Sequence, residues 1–507
     1  MKKIVFATLI SLVLSGCDNV AQNTLESPVQ LEGVSDEALA NLPNRFVDLP
    51  EPADFFEMPE SLSERGQQKL LEAVAGSTLF AKQIRRKEQT GHVVIPGKEP
   101  DLVAAKLTLE AIHTNLASLS RQEPETYALI HHMTEDGYME AWLIAPDGRV
   151  VSGRGDAPYT GLSQMSDDLG VTRMAGTRTL REQGEEELTP AEIANLEKED
   201  RTKTAIEARR RGLKDAADSL LPGHVSDVLG SRAGRLLIVA AKDSGTAPYA
   251  ALPLANGYLA ENWSLVVMPD VLSLGEDQIG FDFGAIDINK AVIVGNPDLT
   301  SHTSQKWRDL PGAKEEALAV SNLLPDPNNT VLIGEKATTS ALRRAISKRR
   351  DTGLVYIASH AVSNNNNPLT RSYIAMAQKH YWAGEIRVEQ FPGWKNHHPL
   401  VVLSACQTGL GRTFEGGHFG ISKTWKTAGA GQVVASLWNV DDKATNVLMT
   451  KFVTHLKAGI APEFAMQKAQ IDTLHYENRP NNRPYFNDPK KWASFTVFGQ
   501  PSLNSAP

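Results

Sequence analysis

Two stretches decide how this chain reads: Leu400 to Gly409, LVVLSACQTG, and Leu354 to Ala361, LVYIASHA. Each begins as an apolar run of strand length and stops at one reactive side chain, Cys406 in the first and His360 in the second. Short continuous apolar runs bounded by turn residues suit strands buried on both faces of a parallel sheet. In such sheets the carboxyl ends of the strands are where ligands and chemistry collect. A thiol is only a few per cent ionised at neutral pH, and a nearby imidazole turns it into a thiolate nucleophile. The small residues Ser404, Ala405, Thr408 and Gly409 leave room beside the cysteine for a substrate backbone. Against this stands the plainer alternative. A cysteine at a strand end is commonly a small buried hydrophobe, and a single histidine a hydrogen-bonded structural residue.

Working outward, the sequence after Gly230 alternates strand and helix. Strands are expected at Arg235–Ala241, Ser264–Met268, Ala291–Val294, Leu354–Ser359, Ser372–Ala377, Leu400–Ala405, Gln432–Leu437 and Ser494–Phe498. Helices are expected at Ala313–Leu324, Thr339–Arg350, His418–Ala428, Asp442–Lys457 and Pro462–Leu474. Strands separated by helices of this length imply crossover units, hence an α/β fold with a mostly parallel sheet and helices on both faces. Upstream, Glu125–Met133 and Tyr138–Ala145 alternate apolar and polar residues around Glu135-Asp136-Gly137, a hairpin signal, and Pro146-Asp147-Gly148-Arg149 starts a further turn. A helical segment comes before the hairpin, with Leu62, Leu70, Leu71, Val74 and Leu79 in one run and Leu102, Ala105, Leu109, Ile112, Leu116 and Leu119 in a second. One long helix is expected around Ile193 to Leu220. No 34-residue repeat with tetratricopeptide signature positions is present.

The 507 residues give room for one large domain plus a smaller one, and the 41% hydrophobic and 22% charged fractions are ordinary for a globular chain. A net charge of −8 without a dominant basic block argues against general nucleic-acid binding. At the amino terminus Lys2-Lys3 precede the apolar run Ile4 to Leu14, which reads as a secretory signal and is too short to span a bilayer. Leu14-Ser15-Gly16-Cys17 resembles the bacterial lipoprotein box. That resemblance implies cleavage before Cys17, acylation of Cys17, and stable anchoring by several chains. Asp18 resembles an inner-membrane retention signal, so the expected location is the cell membrane, facing the periplasm. Residues 18–60 hold ten carboxylates against the single base Arg45, with five prolines, and read as an extended tether. The chain has two cysteines, so lipidation of Cys17 would leave Cys406 as the only thiol.

From about residue 125 to 502 the sequence resembles the CHAT domain, a caspase-like fold in the peptidase clan that also holds caspases, separase, gingipains and legumain. The matching blocks are Arg235-Leu-Leu-Ile-Val with Pro248-Tyr-Ala-Ala-Leu-Pro253, then Leu310-Pro-Gly-Ala-Lys-Glu-Glu316 and Val355-Tyr-Ile-Ala-Ser-His-Ala361. Leu403-Ser-Ala-Cys-Gln-Thr-Gly409, Ala428-Gly-Ala-Gly-Gln-Val-Val-Ala-Ser-Leu-Trp-Asn-Val-Asp-Asp442 and Trp492-Ala-Ser-Phe-Thr-Val-Phe-Gly-Gln-Pro501 follow in order. The 46-residue separation of His360 and Cys406, and Ala405-Cys406-Gln407 itself, are similar to the caspase pattern. The resemblance implies a dyad in which His360 is general base or orienter and Cys406 the nucleophile. It also implies an oxyanion site made by the backbone N–H groups of Cys406 and Ala361, with Ala361 standing where caspases have glycine. The strand Gln432 to Trp438 corresponds to the one whose edge binds substrate backbone, so Ser436 and Trp438 would line the groove. Asp441 or Asp442 would either supply a carboxylate to the first specificity pocket or cap the next helix.

The expected division is a signal peptide at 1–16, the tether at 17–60, the helical segment at 61–122 and the peptidase domain at 123–507. No cofactor or metal is called for. Gly-x-Ser-x-Gly, His-Glu-x-x-His and phosphate-binding glycine loops are all missing from the sequence. His418 reads as opening a helix, His397-His398 precede the nucleophile strand from its far end, and Asn364 to Asn367 form a polar loop beside His360. The expected function is a membrane-tethered cysteine endopeptidase acting on a protein substrate, with a regulatory protein partner in view. The competing reading is an inactive caspase-like scaffold that binds a protein or peptide without cutting it.

Overall fold

A strand buried on both faces sends alternate side chains into two different cores, and the computed structural model shows this at Leu354–Ser359. Val355 and Ile357 enter one apolar cluster, and Leu354, Tyr356 and Ala358 enter another on the opposite face. The structure describes residues 64–90, 102–121, 124–159, 203–277, 279–302, 307–364, 368–405, 411–414, 417–438, 442–476 and 488–503. The expectations for the signal, Cys17 and the tether fall outside these residues, as do those for Cys406 and Asp441.

Eleven strands form one sheet. In chain order they are β1 (Thr126–Met133), β2 (Met139–Ile144), β3 (Val150–Arg154), β4 (Gly234–Val239), β5 (Trp263–Val267) and β6 (Ala291–Pro297). Then come β7 (Thr330–Gly334), β8 (Leu354–Ser359), β9 (Leu400–Ala405), β10 (Gln432–Ser436) and β11 (Phe495–Gly499). Their spatial order is β3-β2-β1-β4-β5-β11-β10-β9-β8-β6-β7. β1, β4, β5 and β11 run parallel to one another, and β10, β9, β8, β6 and β7 run parallel in the opposite sense. The two blocks meet at the antiparallel β10–β11 pair.

The expected hairpin is β1–β2, with Gly137 at φ 85° in its turn, and β3 extends it through a second turn with Gly148 at φ 85°. Positive φ is the reason for glycine at both tips. One strand expectation needs correction, and one strand was not expected. Ser372–Ala377 contributes only Tyr373–Ile374, to a separate three-stranded sheet with Ala361–Val362 and Tyr381–Trp382. The edge strand β7 went unforeseen because its residues are mostly half-buried and show no clean alternation.

Helices cover both faces. The expected helical segment forms α1 (Glu64–Thr90) and α2 (Leu102–Leu119), whose Leu70, Val74, Ile112 and Leu116 pack on Ile130, Leu237 and Val266. Beneath the same strands lie α3 (Lys203–Leu220) and α4 (His224–Ser231). On the second block, α5 (Pro311–Leu323) packs with α8 (Asp442–Lys457) and α9 (Pro462–Leu474) on one face. α6 (Thr339–Lys348) and α7 (Ile421–Thr427) pack on the other. Proline at the first turn of α5 and of α9, and the Thr338 side chain accepting from Ala341 N ahead of α6, start these helices where the sequence places them. α7 begins later than expected because Gly417–Gly420 is a strand paired with Gly411–Phe414. His418 therefore sits in a ladder opposite Thr413 and does not open a helix. Among the described residues no helix is long and apolar enough to cross a membrane.

Candidate active site

β8 and β9 pair in parallel from Leu354↔Leu400 through to Ser359↔Ala405. Neighbouring strands of a sheet lie about 4.8 Å apart. His360 and Cys406 are each the next residue along. The two strands are held level by their burial: every residue from Leu354 to Ser359 and from Leu400 to Ala405 is buried. Side-chain bonds brace their ends. Ser359 Oγ donates to Ala375 O at 2.6 Å, and Ser436 Oγ donates to Ala405 O at 2.5 Å. Deeper in, Tyr356 Oη donates to the buried Glu316 carboxylate at 2.5 Å, and burial holds that phenol well above its ordinary pKa. Glu316 thereby fastens α5 to β8, which gives a physical reason for the acid that ends the Leu310–Glu316 block.

His360 is half-buried, and its ring lies 5.0 Å from that of Trp307. Its Nε2 is 2.8 Å from the backbone carbonyl of Arg308. A carbonyl only accepts, so Nε2 carries the proton and, in the neutral ring, Nδ1 is the basic nitrogen. The Trp307–Leu310 segment that offers this carbonyl is tied to the end of β6 by Leu310 N donating to Asn296 Oδ1 at 3.1 Å and Asn296 Nδ2 donating to Asp309 Oδ1 at 2.9 Å. Asn296 is at φ 43°, a left-handed position that asparagine tolerates better than most residues.

Ala361 pairs with Ile374 in the small sheet. Ala375 N donates to His360 O at 2.8 Å, so His360/Ala375 is a hydrogen-bonded pair and Ala361/Ile374 is not. By the alternation of an antiparallel ladder, the N–H of Ala361 points away from its partner strand. Ala361 is not among the residues with positive φ, so alanine replaces glycine there without backbone strain.

β10 is paired on one side with β9 up to Leu403↔Ala435 and on the other with β11 up to Ser436↔Phe495. Ser436 and Trp438 are buried, with the Trp438 Nε1–H donating to Lys490 O at 3.0 Å, and Leu437 N donates to Ser494 O at 2.7 Å. Their side chains belong to the core, where they hold β10 and its extension in place. Asp442 is the first residue of α8. His398 stands at the opposite end of β9, its Nδ1 3.4 Å from Gly429 O. Sequence reading missed the aromatic residues around His360, namely Trp307, Tyr373 and His380, as well as the Arg308 carbonyl. A backbone acceptor leaves no residue-type signal. The aromatic residues could have been flagged as rings clustered in polar loops.

A mostly parallel sheet faced by helices, with His360 directly after the carboxyl end of β8, defines a caspase-like α/β protein. The CHAT domain family model matches residues 211–500, and the chain belongs to that family. Among curated proteins it is similar to tetratricopeptide repeat protein 28 of Mus musculus, 24% identical over 324 residues, and of Homo sapiens, 24% identical over 330. These matches take in 56% of this chain but only 13% and 12% of the relatives. Among solved structures it is similar to the separase–securin complex of Saccharomyces cerevisiae, with a TM-score of 0.51 and 10% identity over 87% of this chain and 34% of that one. β1 to β3 precede the matched segment yet lie in the same sheet.

Proposed function

We propose that the chain is a cysteine endopeptidase using His360 and Cys406. The observation that carries this is the in-register pairing of Ser359 with Ala405 on adjacent parallel strands, which ties together the chain leaving both positions. The Nε2–Arg308 bond supports it further, since it leaves Nδ1 as the proton acceptor.

In the proposed reaction the Cys406 thiol gives its proton to His360, and the thiolate adds to the peptide carbonyl. The oxyanion is held by the N–H of Ala361 and that of Cys406. As the C–N bond breaks, His360 returns the proton to the leaving amine and a thioester remains. Water, deprotonated by His360, then releases the acid and the free thiol. Loss of one oxyanion donor costs roughly 3–4 kcal/mol of barrier. A lipid anchor on Cys17 and an extended acidic tether would set this domain off a membrane surface facing the periplasm, with a protein as substrate.

A thiol-directed peptide probe tests the dyad. Labelling at Cys406 in the wild type and its loss in His360→Ala support it, and equal labelling of both proteins refutes it. A comparison of new protein amino termini in cells carrying wild type or Cys406→Ala identifies substrates. Identical sets would favour the binding scaffold. Retention of the protein in the detergent phase, lost in Cys17→Ser, tests the anchor.

A further inference from the structure

The Trp307–Leu310 segment has no regular secondary structure, yet it has to hold one carbonyl against one ring nitrogen. The Asn296 bonds fix its Asp309–Leu310 end, and a packed set of rings holds the Trp307 end. His302 stacks on His380 with centroids 4.1 Å apart and planes within 4°. His380 stacks in turn on Tyr373 at 4.3 Å and 21°. Trp307 stands across this stack, 5.8 Å from His380 at 74° and 6.4 Å from Tyr373 at 85°. Its own ring then meets His360 at 5.0 Å. The far end of the stack is pinned as well, with His302 Nε2 2.9 Å from Met376 O. Tyr373 belongs to the strand paired with Ala361–Val362, so the stack touches both halves of the site. One half is the segment carrying the Arg308 carbonyl and the other is the strand carrying the Ala361 N–H.

We propose that Trp307, braced by the His302–His380–Tyr373 stack, is a positioning residue that keeps the Arg308 carbonyl on His360 Nε2 and so fixes the tautomer of that ring. This rests on the peptidase reading only for its functional consequence. The tautomer itself is a property of the folded chain. Ring-on-ring packing suits the task because each offset or edge-to-face pair adds about 0.5–1.5 kcal/mol beyond burial and has a preferred geometry. A backbone carbonyl in an irregular segment has no ladder to hold it. With Trp307 removed, the segment loses its only aromatic contact with His360 among the described residues. The proton is then free to move to Nδ1, the nitrogen that has to be unprotonated to take a proton from the nucleophile.

The test uses the full chain labelled with ¹⁵N-histidine, with the His360 signals assigned by their loss in His360→Gln and recorded at a pH above its titration. Wild type is expected to show a protonated Nε2 and an unprotonated Nδ1. Trp307→Ala is expected to move both ¹⁵N shifts toward the average of the two tautomers, and Trp307→Phe to restore the wild-type pattern. If Trp307→Ala does not fold, His380→Ala takes its place, since it removes one of the two rings Trp307 stands across and breaks the stack between His302 and Tyr373. An unchanged His360 pattern in a folded Trp307→Ala or His380→Ala protein overturns the proposal, as does failure of phenylalanine to restore it. In peptide hydrolysis, Trp307→Ala should lower kcat by on the order of 10- to 100-fold with KM little changed. A wild type that hydrolyses no peptide sinks the peptidase reading and leaves the tautomer result standing.

Discussion

The carboxylate of Glu463 is the place where one substitution should do most damage to the fold. It lies at the start of α9 with its side chain fully buried, and it accepts four hydrogen bonds. These come from Arg235 Nη1 at 3.1 Å, Gln432 Nε2 at 3.0 Å, Ser502 N at 2.9 Å and Ser502 Oγ at 2.7 Å. Arg235 is on β4 and Gln432 on β10, so this group ties together the two oppositely directed blocks of the sheet. Glu463→Ala leaves a buried guanidinium without its counter-charge, which costs about 3–5 kcal/mol. It also strands three neutral donors worth about 1 kcal/mol each, though groups sharing one partner do not add fully. The expected loss is about 4–6 kcal/mol, a large share of the roughly 5–15 kcal/mol that stabilises a typical protein. Arg235→Met should cost less, about 2–3 kcal/mol, because the carboxylate keeps its other three donors. The double variant should fall short of the sum of the two. Denaturant unfolding followed by circular dichroism measures all three. A Glu463→Ala loss below about 1 kcal/mol, or an Arg235→Met loss exceeding it, would refute the assignment of Glu463 as the centre of the network.

Three further outcomes are expected. His131 is wholly buried, its Nε2 2.8 Å from Leu220 O, and burial pushes its pKa down to about 4. The unfolded chain takes up this proton below about pH 6.5 and the folded one does not, so stability is complete above that pH and falls by about 3 kcal/mol on descent to pH 4. His131→Gln should flatten that part of a stability–pH curve. At Gly295 an added Cβ would lie 2.4 Å from the Ala317 Cβ and 3.0 Å from Ala313 O, so Gly295→Ala should push α5 off β6 and cost about 1–3 kcal/mol in thermal or denaturant unfolding, with Ala317→Gly recovering part of it. Ala361→Gly should leave peptide hydrolysis within about threefold of wild type, since φ there suits either residue; a rise well beyond that would mean the site needs a backbone conformation that alanine resists.

The fold was largely legible because its strands are buried on both faces and its turns carry glycine. LVYIAS and LVVLSA announce themselves as runs, and Asp136-Gly137 and Asp147-Gly148 announce two turns. The block from Ala428 to Trp438 was also readable, and the structure supplies its physics. Gly429 sits at φ 113°, and a Cβ on Gly431 would come within 2.6 Å of His398 O. Arg235 opened a recognisable block without any hint that its partner lay at Glu463, 228 residues away. Sequence distance hides buried charge pairs of this kind. Ser436 and Trp438 are expected at a groove from the resemblance alone, and no local signal announces that β11, arriving from the end of the chain, pairs with β10 and that both side chains are buried.

Strand direction explains why the chemistry gathers where it does. Five strands of one block send their carboxyl ends to the His360 side, while β1, β4, β5 and β11 send theirs to the opposite edge. The first block therefore turns the carboxyl ends of these four strands away from His360. The groups seen on that histidine come from the second block's own connections: the segment after β6 contributes Arg308 O and Trp307, and the small sheet after β8 contributes Tyr373, which packs on Trp307. The first block acts at a distance. It buries Arg235 against Glu463, and through Gln432 that carboxylate pins the amino end of β10, whose Ser436 in turn bonds the last residue of β9. Loosening Glu463 should therefore be felt at Ala405 as well as in global stability. Amide exchange of β9 and β10 in a Glu463→Gln protein would show faster opening of both strands if the blocks are coupled in this way, and opening of β4 alone if they are not.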